Sequence, residues 1–106
     1  MKVLKNSSKL KKVIHIGKIK PFKNICRVTK VSENCNVEMT YIPNKHLVEL
    51  GSYREFFKQP FNLYIEDLAE LVFNEIKEKA KPKYLKVTVY LEDKKLTPWD
   101  VTIETK

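Results

Sequence analysis

The sequence of 106 residues has few of the features that define several large classes of protein. Its two glycines, Gly17 and Gly51, cannot form a glycine-rich loop that cradles phosphates. No apolar run approaches the roughly 20 residues that a membrane-spanning helix needs. The basic start is not followed by the apolar stretch and cleavage site of a secretory signal. The two cysteines predict reduced thiols, and we expect a cytoplasmic protein. The length allows a single core.

Negative charge is absent from the start of the chain, where the first carboxylate is Glu33. Residues 1–30 carry ten of the 21 lysines and arginines, and all 13 acids follow them. This block predicts a polyanionic partner, nucleic acid first, with a solubilising arm as the alternative. An anionic membrane fits less well, because the segment lacks the continuous apolar face of a membrane-surface helix. We predict a basic flexible arm over residues 1–12 and one domain over residues 13–106.

Alternating apolar residues predict four strands. Residues 25–31 are rich in β-branched side chains, and residues 37–41 alternate before Pro43. These two strands are close enough to form a hairpin whose turn lies near Glu33. Residues 85–91 and 101–104 predict a second hairpin by the same alternation.

Helical spacing of apolar residues covers the middle of the chain. Residues 46–57 predict one helix, which Pro60 prevents from continuing. Residues 63–80 predict a second helix with Asn62 as its cap. The predicted order is therefore ββααββ, an α+β fold with antiparallel strands.

Cys26 is the first candidate for chemistry. A cysteine on a strand is usually a small buried hydrophobic residue. Here three basic residues lie close in sequence, and positive surroundings lower the pKa of a thiol. Glu33, across the predicted turn, can transfer a proton to or from the reacting atom. Cys35 has no obvious partner, and a disulfide with Cys26 is the minor alternative.

Glu49 and Glu66 are candidate binding residues. Exposed helical glutamates are usually solvated charges, and that is the default interpretation of either one. A carboxylate held near a strand-borne thiol, however, is suited to accept two N–H bonds from a guanine-like edge. His15 and His46 lack metal-ligand spacing with the cysteines or with each other, so no metal is expected.

Several short motifs occur in a fixed order: Phe22-Lys-Asn-Ile-Cys26, Glu33, Thr40-Tyr-Ile-Pro43, Val48-Glu49 and Tyr64-Ile-Glu66-Asp67. This set resembles the 7-cyano-7-deazaguanine nitrile reductase (QueF) family. That family has Phe-x-x-x-Cys, an Asp seven residues after the Cys, a Tyr-Ile-Pro-like strand end, a Glu opening the next helix, and Phe-His-Glu-Asp. The resemblance covers roughly residues 20–91. It implies the tunnelling fold (T-fold), with two helices packed on one face of the sheet and active sites at subunit interfaces of a homo-oligomer.

The resemblance implies a role for each of four residues. Cys26 matches the nucleophile that adds to the nitrile carbon and forms a covalent thioimide. Glu33 matches the proton-transferring carboxyl, where the family usually has Asp. Glu49 and Glu66 match the carboxylates that hold the deazaguanine edge. Covalent catalysis suits a nitrile, because the thioimide is open to a second attack.

Departures from the reductase motifs disfavour NADPH. The reductases carry Glu-Ser-Lys-Ser-x-Lys at the first helix, which helps bind NADPH, whereas this chain reads Glu49-Leu-Gly-Ser-Tyr-Arg54. Their Arg-Gly-Gly after the third strand is absent, and Glu92-Asp-Lys-Lys95 stands near that position. Ile65 replaces the family His. We therefore expect no cofactor.

A short archaeal branch of the family resembles the chain better. In that branch ammonia attacks the thioimide of 7-cyano-7-deazaguanine carried in tRNA, and the product amidine is archaeosine. The basic block agrees, because tRNA presents a dense line of phosphates. The lysines expected to contact RNA are Lys9, Lys11, Lys12, Lys18, Lys20 and Lys23. We therefore expect a tRNA-modifying, amidine-forming transferase. The alternatives are an NADPH-dependent reductase of the free base and a non-catalytic RNA-binding domain on the same scaffold.

Overall fold

A five-stranded antiparallel sheet carries two helices on one face, in a computed structural model that describes residues 1–92 and 97–106. The elements in chain order are β1 (Val3–Lys5), β2 (Ile14–Ile16), β3 (Phe22–Ile25), β4 (Ser32–Ile42), β5 (His46–Val48), α1 (Leu50–Phe56), α2 (Ile65–Ala80), β6 (Tyr84–Leu91) and β7 (Trp99–Glu104). The strand order is β2-β4-β6-β7, and β3 pairs with the first part of β4. A separate two-stranded sheet joins β1 to β5.

Strand β4 is the centre of the sheet. It pairs with β6 from Cys35 to Ile42, while β2 and β3 share its other edge. Successive residues of a strand point to opposite faces. Cys35, Val37, Met39 and Tyr41 of β4 are therefore buried beneath the helices. Polar residues alternate with them on the opposite face.

Helix α2 covers this apolar face with a stripe at helical spacing. Its buried residues are Ile65, Leu68, Ala69, Val72, Phe73, Ile76 and Ala80. Acidic residues occupy its first turn and lysines its last turn, which is the charge order that the helix dipole favours. No helix in the described part of the chain is long and apolar enough to cross a membrane.

The α+β architecture, the ββααββ order of the main elements and the packing of both helices on one face are confirmed. The predicted turn near Glu33 is wrong, because β4 already begins at Ser32. The chain reverses over residues 26–31, where the Cys26 N–H donates to the Val31 carbonyl at 3.0 Å. Lys30 takes the left-handed conformation that this turn requires, with φ 62°.

The first predicted helix starts too early. His46–Val48 form strand β5, and α1 begins at Leu50. The Val48 N–H donates to the Tyr41 hydroxyl at 3.0 Å, which fixes β5 against the sheet. Asn62 is not the cap of the second helix, since α2 starts at Ile65 with Tyr64 as its N-cap residue.

The start of the chain differs from a free arm. Val3–Lys5 pair with His46–Val48, so a strand partner holds part of the segment that was predicted to be flexible. The Met1 amino group lies 3.2 Å from the Glu75 carboxylate, and the Lys2 N–H donates to the Ser52 hydroxyl at 2.8 Å. These contacts depend on residues more than forty positions away, which local sequence patterns do not reveal.

Deletion of residues 2–6 is expected to lower the free energy of unfolding by about 2 to 4 kcal/mol, because each net hydrogen bond contributes about 1 kcal/mol. Urea unfolding followed by circular dichroism measures the loss. The double variant Lys9→Gln/Lys11→Gln changes only exposed side chains and should unfold like the parent chain. Equal stability of the truncated and parent chains would contradict the structural role of β1.

Candidate functional site

Cys26 follows directly after β3 and begins the loop that leads to β4. Its side chain is half-buried. The backbone N–H of Thr29, its hydroxyl and the backbone N–H of Val28 donate to the sulfur and lower the thiol pKa. Sequence analysis put Cys26 on a strand and expected nearby basic side chains to lower this pKa. The structure instead puts it in a loop, and the hydrogen-bond donors of that loop supply the effect.

Glu33 lies on β4 opposite Asn24 of β3 and is 8% exposed. The Asn24 side-chain N–H donates to Glu33 Oε1 at 3.1 Å. The negative charge of Glu33 opposes the lowering of the Cys26 pKa, although it is a smaller influence than the loop donors. The structure therefore brings the predicted thiol and the predicted proton-transfer group together, on neighbouring parts of the β3–β4 hairpin.

Asn24 is a functional candidate that sequence analysis missed. Its side chain is fully buried and makes three hydrogen bonds. Besides the bond to Glu33, it donates to the Leu63 carbonyl at 2.8 Å and accepts from the Leu63 N–H at 3.1 Å. The sequence feature that could have identified Asn24 is a polar residue at a position where β3 points into the core, two residues before Cys26.

Glu66 reaches this region through the loop that precedes α2. The Phe61 carbonyl accepts the Ile25 N–H at 2.9 Å, and Leu63 is bonded to Asn24. This loop therefore runs beside β3, and Glu66 follows it in the first turn of α2 with an exposed side chain. Three of the four predicted site residues thus lie on segments joined by direct hydrogen bonds.

Glu49 is held elsewhere, as the N-cap of α1. One carboxylate oxygen accepts the Gly51 N–H at 2.9 Å and the other accepts the Ser52 N–H at 2.6 Å. The Ser52 bond and then the Gly51 bond lower the Glu49 pKa, so this carboxylate remains charged at neutral pH. Within residues 1–92 and 97–106, no hydrogen bond or ion pair joins Glu49 to Cys26, Glu33 or Glu66.

The lysines predicted to contact RNA lie in different environments. Lys12 donates to Asn6 at 3.4 Å, and Lys9 and Lys11 are exposed beside it in sequence. Lys18 pairs with the Glu92 carboxylate at 2.7 Å and lies 4.4 Å from the centre of the Tyr90 ring. The last two, Lys20 and Lys23, line a cavity of about 900 Å³.

Cys35 belongs to the core rather than to the site. It is fully buried, and burial raises its pKa to about 12. The β3–β4 register puts Cys35 opposite Phe22, four residues before Cys26. At about 3.3 Å per residue this separates the two Cα atoms by roughly 13 Å, beyond the roughly 7 Å that a disulfide spans. The alternative of a Cys26–Cys35 disulfide is therefore wrong, and both thiols are free.

Comparison with known proteins identifies the fold. Neither a protein-family model nor a curated protein matches the sequence. The crystal structure of the archaeosine synthase QueF-Like in the apo form matches with a TM-score of 0.77 and 20% identity, over 88% of this chain and 92% of that one. A provisionally assigned dihydroneopterin aldolase (FolB) from Vibrio cholerae matches with a TM-score of 0.64 and 12% identity, over 89% and 96%.

These neighbours establish the tunnelling fold that the resemblance implied. At such identities the likeness establishes the fold alone. The chain spans nearly the full length of both neighbours. One departure from the reductase motifs is the segment Glu92-Asp-Lys-Lys95, and its residues 93–95 lie outside the described residues.

The two thiols are expected to react at different rates with iodoacetamide. Cys26 should react with a pH midpoint below the ordinary thiol pKa of about 8.5, because its loop favours the thiolate. Cys35 should stay unmodified in the native protein. Peptide mass spectrometry after timed alkylation between pH 5 and 10 distinguishes the two sites. In Thr29→Val the hydroxyl is lost and the backbone N–H stays, so the midpoint should rise in part; an identical midpoint would disprove the contribution of the Thr29 hydroxyl.

Asn24→Ala is expected to lower the free energy of unfolding by about 2 to 4 kcal/mol, because a buried unsatisfied polar group costs about 1 to 3 kcal/mol. The substitution leaves the Leu63 backbone and the Glu33 carboxylate without their partner. Urea unfolding of Asn24→Ala, Glu33→Ala and the double variant measures the coupling between the two side chains. Fully additive losses would mean that the Asn24–Glu33 bond contributes nothing.

Proposed function

We propose that this chain is a tRNA-modifying transferase that converts the nitrile of 7-cyano-7-deazaguanine in tRNA to an amidine, with ammonia as the second nucleophile. One observation carries the proposal. Cys26 has a lowered pKa and lies beside the buried carboxylate of Glu33, on a fold shared with an archaeosine synthase.

The proposed reaction begins with the addition of Cys26 Sγ to the nitrile carbon. One C–N π bond breaks, a C–S bond forms, and the proton of the Cys26 thiol passes through Glu33 to the nitrile nitrogen. Glu33 Oε1 accepts a hydrogen bond from Asn24. No side chain of the described residues donates to Oε2, so this oxygen is left for the transfer. The product of the step is a covalent thioimide.

Ammonia then adds to the thioimide carbon and the C–S bond breaks. The sulfur leaves as a thiolate, which the groups of Thr29 and Val28 that lower the Cys26 pKa also favour. A proton from the added ammonia passes through Glu33 to this thiolate and restores the thiol. The sum is nitrile plus ammonia giving amidine, with no oxidation or reduction and therefore no requirement for NADPH.

The two remaining carboxylates are proposed to hold the base. Glu66 is exposed at the start of α2 and can accept two N–H bonds from a guanine-like edge. Glu49 is a charged acceptor, and each of its oxygens has a lone pair left beyond its bond to the helix. Since no hydrogen bond or ion pair of the described residues connects Glu49 to Cys26, the proposal assigns the second carboxylate to another copy in a homo-oligomer.

Gly51 supports the exclusion of NADPH from the proposed reaction. It stands where the reductases have a Lys that helps bind the dinucleotide. A Cβ atom at this position would lie 2.8 Å from Glu49 Oε1, so a side chain here requires the end of the flexible Glu49 side chain to shift. As a glycine, this position supplies no cationic contact to a dinucleotide.

Incubation with ammonium and tRNA carrying the nitrile base, without NADPH, is expected to add the mass of one ammonia to the modified nucleoside. Cys26→Ala should abolish the product, whereas Cys35→Ala should retain it. Glu33→Gln should slow turnover by about 100-fold or more, the usual contribution of a general acid–base group. Its affinity for tRNA should stay unchanged. Nucleoside mass spectrometry after digestion measures each rate.

Two outcomes would overturn the proposal. A gain of four hydrogens on the free nitrile base, with consumption of NADPH, would make the protein a reductase. If tRNA binds but neither reaction occurs, the protein is a non-catalytic RNA-binding module. A large loss of tRNA affinity in Glu33→Gln would assign Glu33 to binding rather than to proton transfer.

A further inference from the structure

A cavity of about 900 Å³ lies between residues 19–23, which lead into β3, and the end of α1 with the loop that follows it. Four cationic side chains line it, and they come from both sides: Lys20, Lys23, Arg54 and Lys58. Its floor is apolar, because Phe22 and Phe57 are buried there with ring centres 4.9 Å apart. The cavity thus combines a cationic rim with an aromatic base.

The positive charge of this rim is only partly neutralised. Glu55 is the one carboxylate in the lining, and it pairs with Lys58 at 3.0 Å. Lys23 donates to the Asn34 side-chain amide, a neutral partner, at 2.6 Å. Within residues 1–92 and 97–106, neither Lys20 nor Arg54 makes an ion pair. A cleft with apolar walls and one sign of charge concentrates the field on an anionic ligand.

We propose that this cavity binds a phosphodiester of the RNA substrate, close to the nucleotide that reacts. The inference rests on the proposed function, and it adds Arg54 and Lys58 to the residues that contact RNA. The Arg54 guanidinium matches phosphate oxygens with two parallel N–H bonds, and the lysines act as point charges around it. The apolar floor receives the uncharged face of a ribose or base.

The position of the cavity along β3 favours a neighbouring nucleotide over the reacting base. Phe22 lines the cavity at the start of the strand, and Cys26 follows its end. Four residues at about 3.3 Å each separate them by roughly 13 Å. A nitrile attached to Cys26 therefore cannot also occupy the cavity, whereas the same RNA strand can reach both places.

The test measures binding of unmodified tRNA against KCl concentration by fluorescence anisotropy. Lys20→Gln/Arg54→Gln should lower the affinity and flatten the slope of log Kobs against log salt by about 1.4, since each lost contact to a single strand removes about 0.7. The matched control Lys79→Gln/Lys83→Gln removes the same charge from exposed positions at the other end of α2. It should leave the slope unchanged. All substituted side chains are exposed, and circular dichroism verifies the fold.

The outcomes separate this inference from the proposed function. Amidine formation with an unchanged slope in the cavity variant would overturn the cavity site and leave the transferase standing. A flattened slope without amidine formation would support the RNA site and reject the reaction. NADPH is titrated in parallel as the other source of phosphate. Binding of NADPH that Lys20→Gln/Arg54→Gln abolishes, with no effect of that variant on tRNA, would replace RNA by a free dinucleotide.

Discussion

The buried amide of Asn24 is the constraint on which the rest of the candidate site depends. An uncharged polar group in the core must find all its partners within the protein, and Asn24 finds them on two other segments. One bond reaches Glu33 on β4, and two bonds reach the Leu63 backbone before α2. These bonds join the β3–β4 hairpin, which carries Cys26 and Glu33, to the segment that leads into the helix of Glu66. Together with the β3–β4 pairing and the bond from Ile25 to Phe61, this amide fixes their relative positions.

The groups that lower the pKa of the Cys26 thiol are distinct from the cationic side chains nearby in sequence. Backbone and hydroxyl donors within the loop lower the pKa of Cys26, so no lysine has to lie against the sulfur. Lys23, close in sequence, bonds to Asn34 on the exposed side of the hairpin, and its strand turns Asn24 inward. The alternation of β3 thus puts the Lys23 side chain on the exposed face and Asn24 in the core.

Sequence analysis predicts the elements that have strong periodicity. It fails for elements whose structure depends on contacts with residues distant in sequence. The stripe of α2 and the alternation of β6 need only local spacing, and both are present. Residues 32–36 have the composition of a turn, yet pairing with β3 and burial of Cys35 extend the strand through them. Likewise β5 exists because β1 lies beside it. Asn24 escaped notice because its partners are nine and 39 residues away.

The proposed function takes the carboxylates of the site from two copies of the chain: Glu33 and Glu66 from one copy and Glu49 from another. Glu33 and the loop before the helix of Glu66 are bonded to the β3–β4 hairpin within the chain, whereas the Glu49 carboxylate bonds to the first turn of α1. In the described part of the sheet, β7 has a neighbour on one side only, and such an edge favours pairing with another chain. The proposed function assigns Glu49 of another copy to the site, so its reaction requires an assembly that brings the α1 cap of one copy to the β3–β4 hairpin of another.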